Sequence, residues 1–276
     1  PASYRNQLFT NNIHGRRINN DLLRKVGSGY VASHGPDLMR SEDPWFMGVT
    51  LAYGPGGEVY VAWAGPRGIV FDRSLDGGWT FGDDKVIADN PGGWDIPLPG
   101  MARHNGLPVT ATDVSPGANR GSIYVNWIDE RNGDTDVFVL ASRDKGESWG
   151  DPVRVNDDPM GNGKAQLFTW MAVDPEDGSV NVVFLDRRST GDPSQAVTLA
   201  RSTDGGRSFQ NFPVDQVQFS CTDLVFYGDY LAIAAFGGRV VAVWPHCLES
   251  GGQALSAALF SFPPGRGPIR PRPDLG

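Results

Sequence analysis

Two short segments of this chain place a carboxylate two residues before a guanidinium: Asp129-Glu130-Arg131 and Asp186-Arg187-Arg188. Each follows an apolar run that carries an aromatic residue, Trp127 in one and Phe184 in the other. A guanidinium can hold a carboxylate through two parallel N–H bonds, so Arg131, Arg187 and Arg188 are candidates to bind an acidic ligand. Their recurrence at matching places supports a second reading, an Asp–Arg brace between neighbouring structural units. Asp129, Asp186 and Asp229 could each form half of a carboxylate pair for glycoside hydrolysis, with Asp95, Asp157 and Asp158 as further partners. Tyr230 adjoins Asp229 and supplies a phenol. Trp94, His104 and His246 add aromatic and imidazole groups suited to ligand contact. Between residues 129 and 136 the side-chain oxygens are dense enough for calcium, with Asp129, Asp134 and Asp136 as ligands. The spacing is not that of an EF-hand, and an acidic β-turn is the competing reading.

The elements that must position these residues repeat. Runs such as Glu58-Val59-Tyr60-Val61-Ala62-Trp63 and Ser122-Ile123-Tyr124-Val125-Asn126-Trp127 read as strands. Their aromatics Trp63, Trp127, Phe184 and Trp244 recur about every 60 residues, the period of a four-stranded propeller blade. The unit after each such strand contains a fixed frame, Ser-x-Asp-x-Gly-x-(Ser/Thr)-(Trp/Phe). It is carried by Ser74, Asp76, Gly78 and Phe81, by Ser142, Asp144, Gly146 and Trp149, and by Ser202, Asp204, Gly206 and Phe209. Asp and Ser can accept backbone N–H bonds within a tight turn, Gly can take a positive φ, and the aromatic can fold beneath the turn.

This frame resembles the Asp box, the bacterial neuraminidase repeat of sialidase-like β-propellers. The resemblance covers residues 44–265. It implies an all-β fold of four-stranded antiparallel blades, with the boxes on the face opposite the functional loops. Four blades are recognisable, at about 44–91, 107–155, 165–215 and 226–262. Residues 1–43 form a closing segment and 263–276 a Pro- and Arg-rich tail. Six blades, the family's number, would need about 360 residues at this period. The expectation is a four-bladed ring; a degenerate fifth blade in the N-terminal segment, or a piece of a larger ring, are the alternatives. Residues 19–26 read as a short helix. The last blade lacks an outer strand, so residues 4–10 or 29–33 are expected to pair with residues 254–260 and close the ring.

Sialidases also need three arginines, a Tyr–Glu pair and an acidic Asp. Their N-terminal Phe/Tyr-Arg-Ile-Pro motif is not here; Tyr4-Arg5-Asn6-Gln7 matches at two positions. The net charge of −8 argues against nucleic acid or an anionic membrane as the main partner. Cys221 and Cys247 flank the first two strands of the last blade at one end and are expected to pair if the protein is extracellular or periplasmic. The resulting expectation is a non-catalytic or weakly catalytic propeller, acting as an extracellular carbohydrate-binding or assembly module. Its partner, carbohydrate or protein, would meet the loop face; the N-terminal segment or the tail could serve assembly. No nucleic acid, membrane span or cofactor beyond calcium is called for. The alternative is a sialidase-like glycoside hydrolase with paired carboxylates and an Arg-lined pocket.

Overall fold

A computed structural model describes residues 7–262, apart from 13, 192, 223 and 227. Every regular element among them is a β-strand, and no helix is long and apolar enough to cross a membrane. The strands form five antiparallel sheets in chain order. The first contains β1 (Gln7–Asn12), β2 (Arg17–Val26), β3 (Gly29–His34) and β4 (Met39–Arg40), all centred on β2. The second runs β5 (Met47–Tyr53), β6 (Val59–Gly65), β7 (Gly68–Ser74), β8 (Lys85–Ala88). The third runs β9 (Val109–Thr112), β10 (Ile123–Asp129), β11 (Asp136–Ser142), β12 (Val153–Arg154). The fourth runs β13 (Gln166–Val173), β14 (Val180–Asp186), β15 (Ser194–Ser202), β16 (Gln210–Ser220). The fifth has three strands, β17 (Ala232–Phe236), β18 (Arg239–Cys247) and β19 (Gln253–Ser261).

Burial explains the sequence pattern. Strands β10 and β14 are buried along their whole length, because a neighbouring sheet covers each of their faces. Such strands read as continuous apolar runs instead of alternating ones. Successive sheets share cores: Ile18 and Met39 join Phe46, Val61 and Trp63, while Leu199 and Phe168 join Val240, Trp244 and Phe260. The fifth sheet alternates, and its open face carries Phe236, Leu255 and Leu259.

Two expectations about the N-terminal segment are corrected. Residues 19–26 belong to strand β2, not to a helix. Pairing on both edges, with β1 and β3, together with burial of Ile18, overrides the weak local helix signal. The expected pairing with β19 is not seen either: among the described residues β19 pairs only with β18, while β1 and β3 both pair with β2. Residues 4–6 lie outside the described residues. The N-terminal strands are close in sequence, and local hairpins close far smaller loops than a pairing across the whole chain would. The N-terminal segment is therefore a sheet of its own. The tail, residues 263–276, lies outside the described residues.

The repeated turns share one geometry. Gly146 N donates to Ser142 Oγ at 2.8 Å and Ser148 N to Asp144 Oδ1 at 2.9 Å, and the Ser142 hydroxyl donates to Asp144. The same bonds recur around Asp76 and Asp204. The Ser148 hydroxyl and amide, with Ser142, hold the Asp144 carboxyl down at about 2. Each turn also grips its neighbour. Gly146 has φ +82°, and a Cβ there would fall 2.5 Å from Phe71 of the second sheet. Trp149 meets the same ring edge-on, with centroids 4.9 Å apart. Arg73 bonds to Lys145 O and Glu147, and Arg143 to Gly205 O, each reaching the turn of the next sheet. Replacing Asp144 with Ala is expected to lower the melting temperature and leave ligand affinity unchanged, because it strips acceptors from turn amides far from the loop face. Equal melting temperatures would refute the structural role.

Candidate functional site: a strapped loop face

Opposite the repeated turns, the segment between β8 and β9 crosses the face as a strap. An Asp95–Asn105 bridge pairs its two limbs, with Ile96 N donating to His104 O and Gly106 N to Trp94 O. At its base Glu130 N donates to Pro91 O. At its tip Arg187 Nη2 donates to Pro99 O at 2.7 Å. Gly100 has φ +73°, and a Cβ there would collide with Pro193 at 2.1 Å, so only glycine lets the tip lie this close to the fourth sheet. On the far side Arg103 pairs with Asp229, which also accepts from Asn105 Nδ2 at 3.1 Å.

The underside of the strap fills the middle of the face. Ile96, Met101 and His104 are all buried there. The His104 ring meets the edge of Phe168, with centroids 5.5 Å apart, and lies beside the Ile96 backbone. Burial, with Arg187 adding to it, pushes the His104 pKa down to about 3. Phe168 itself sits at φ +36° where the β13–β14 register shifts. That strained backbone aims its ring beneath the strap.

The two Asp-x-Arg segments are built alike. Asp129 accepts from Trp127 Nε1 at 2.7 Å and from Arg131 Nε at 2.9 Å, and Arg131 Nη2 donates to Asp89 O just beyond β8. Asp186 accepts from Arg188 Nε and Thr198 Oγ1, and Arg188 reaches Asp157 just beyond β12 and Asn211. In each case the guanidinium ties its own loop to the outer edge of the preceding sheet. Asp134 accepts from Gly163 and Lys164 amides, and Asp136 pairs with Arg154 and accepts from Asn132 and Asn156. Asp129, Asp134 and Asp136 are thus drawn to different partners. Among the described residues no group of three or more His, Cys, Asp or Glu is placed to hold a metal ion.

What remains accessible is a rim of rings around Arg103. Arg103 lies over the Phe226 ring at 4.7 Å, and its pKa is raised, first by its bonds to Asp229 and further by Asp95 and Tyr230. Tyr230, largely exposed, meets Trp170 edge-on at 5.6 Å. At the other end of the strap Trp94 packs near the exposed Trp45, with centroids 6.3 Å apart. The structure therefore gathers Asp95, Asp229, Tyr230 and Trp94 along one strap, buries His104 and Arg187 beneath it, and leaves Arg131 and Arg188 in braces. His246 lies apart, its ring 5.7 Å from Phe219. Tyr227 lies outside the described residues. Arg103, Asn105, Trp45, Trp170 and Phe226 were not evident from sequence.

No protein-family model and no curated protein sequence matches this chain. Solved structures do resemble it. The Hadza microbial sialidase Hz136 superposes with a TM-score of 0.53 at 12% identity, covering 88% of this chain and 52% of that one. A protein of unknown function from Dyadobacter fermentans DSM 18053 gives 0.54 at 17%, covering 91% and 70%. A PL25 polysaccharide lyase, an ulvan lyase bound to -[GlcA(1-4)Rha3S]-, gives 0.51 at 10%, covering 88% and 58%. At these identities the likeness is one of fold. The chain spans about half the length of the sialidase.

Proposed function

We propose that this chain is an Asp-box propeller module that binds carbohydrate on its strapped loop face, with little or no catalysis. The observation that carries this reading is the strap itself. It fills the centre of the face with Ile96, Met101 and His104 and leaves the accessible chemistry as a rim of aromatic rings around the Arg103–Asp229 pair. Exposed rings beside hydrogen-bonding groups suit the flat apolar faces and hydroxyls of sugars. The guanidinium groups that could clamp a sugar carboxylate are engaged by Asp229, Asp129 and Asp186. The Cys221–Cys247 disulfide supports an extracellular or periplasmic setting. The fold of a sialidase and of a polysaccharide lyase supports a carbohydrate ligand by analogy only.

One observation favours the second reading, a glycoside hydrolase: Asp229 pairs with Arg103, Tyr230 follows Asp229 in the chain, and Asp95 bridges to Asn105, which itself donates to Asp229. Calorimetry with a panel of oligosaccharides tests both. Trp94→Ala and Tyr230→Ala are expected to weaken binding about tenfold each, and the parent to release no reducing sugar. Release that disappears in Asp229→Asn would establish the hydrolase instead. Full affinity in both aromatic variants would refute the rim.

A further inference from the structure

The repeat is broken at one corner of the molecule, and by two adjacent sheets at once. Strand β16 has 11 residues, where its counterparts β8 and β12 have 4 and 2. The extra length begins at a register shift between Gln195 and Val197. Beyond it Gln195 pairs with Phe219 and Ser194 with Ser220. Strand β18 has 9 residues, where β6, β10 and β14 have 7, and its added end pairs His246 with Ala254 and Cys247 with Gln253. The two extensions face each other across an open cleft of about 1160 Å³. The Cys221–Cys247 disulfide, Cα–Cα 5.5 Å, pins one wall to the other. Packing a repeat against its neighbour requires neither extension. Local additions that converge on one cavity, fixed by a covalent bond, are the mark of a site added to a scaffold.

The lining states the ligand class. Ser194, Gln218, Ser220, Thr222 and Gln253 bring hydroxyls and amides, which can both donate and accept. The Phe219 and His246 rings meet on one side, and His246 Nδ1 is buried without a hydrogen-bond partner among the described residues. Glu249 is the acidic group, and no Lys or Arg lines the cleft among the described residues. A carboxylated or sulfated sugar would meet a like charge there and no counter-ion, in a chain already at −8. We infer that this cleft binds a neutral oligosaccharide. A sugar ring lies against the half-buried His246 ring, which the core residue Phe219 backs, its hydroxyls bond to the surrounding amides and hydroxyls, and the disulfide sets the width. The cleft adjoins the rim, because Gln253 Nε2 donates to Phe226 O. The inference rests on the carbohydrate reading of the loop face and adds a second subsite of stated polarity.

The test is calorimetry of the whole chain with cellohexaose, xylohexaose and mannohexaose, and with hexagalacturonate as the acidic counterpart. At least one neutral hexasaccharide should bind, and hexagalacturonate should bind at least about tenfold more weakly. Gln218→Ala with Thr222→Ala alters only exposed side chains, so folding is not at risk. That pair should lower the neutral affinity about tenfold, and so should Cys221→Ser with Cys247→Ser. If Trp94→Ala abolishes binding while the Gln218/Thr222 pair leaves it unchanged, the rim stands and the cleft inference falls. Hexagalacturonate binding as tightly as the neutral chains would overturn the ligand class. A parent that binds no saccharide would remove both the cleft and the rim.

Discussion

Arg188→Met will unfold about 3–5 kcal/mol more easily than the parent in urea. The reason is the carboxylate it leaves behind. Asp186 is about 1% exposed and accepts from Arg188 Nε at 2.5 Å, Arg188 N at 3.0 Å, Thr198 Oγ1 at 2.6 Å and Gln166 Nε2 at 3.2 Å. The last three donors are neutral and survive the substitution; the one positive charge does not. A buried anion without a counter-charge costs far more than the pair itself contributes. Arg188 also holds Asp157 and Asn211, so the same change loosens the fourth sheet from the edge of the third. Adding Asp186→Asn should recover most of the loss, since the amide needs no cation. A single variant within about 1 kcal/mol of the parent would show that the brace is of little energetic weight. Arg131→Met should cost less, because Arg131 is more exposed, at 25% against 16% for Arg188.

These braces show what sequence could and could not convey. The matching Asp-x-Arg segments were visible, and so was the choice between ligand clamp and stitch. Sequence could not decide it, because the acceptors that complete the guanidinium shell, Asp89 O and Asp157, lie 42 and 31 residues away in a different sheet. The inner strands β6, β10 and β14 were legible because both-face burial writes itself as Val-, Ile- and Trp-rich runs, and the fifth sheet because its strands alternate. The first sheet was not: β2 carries Asn19, Asn20, Asp21, Arg24 and Lys25, and only Ile18 and Asn20 are buried. Its strand identity comes from partners on both edges, which no local pattern contains. The strap was hardest of all. Its residues have no periodicity, and its path is set by single contacts to the loops of two other sheets: Arg187 to Pro99 and Gly100 against Pro193 in the fourth, and Arg103 to Asp229 before the fifth. Asp229 and Tyr230 could be nominated as candidates, but their partner Arg103 is 126 residues distant.

His104 should make the molecule acid-sensitive well above the range where most carboxylates titrate. Its pKa falls from 6.5 in the open chain to about 3 in the fold, because burial under the strap disfavours the imidazolium and Arg187 repels it. Above pH 6.5 both states are neutral and the group contributes nothing to the pH dependence. As pH drops below 6.5 the unfolded chain gains a proton that the native state refuses, so stability falls by about 1.4 kcal/mol per pH unit. At pH 4 the loss reaches about 3 kcal/mol. A second group works in the opposite direction. Burial raises the Asp72 pKa from 3.8 to about 6, so the native state takes up that proton first and gains stability between those values. The turn carboxylates Asp144 and Asp204, both held down at about 2, add losses only below their ordinary 3.8. The parent curve is the sum of all these, and the share of His104 emerges by difference. His104→Leu removes the titration while keeping an apolar side chain under the strap. Urea unfolding of parent and variant from pH 7.5 to 4 should give a gap that is constant above pH 6.5 and then shifts in favour of the variant by about 3 kcal/mol by pH 4. Parallel curves across the whole range would mean that His104 reaches solvent and protonates in the native state. The strap would then not seal the centre of the face, and the reasoning that assigns recognition to its rim would fail with it.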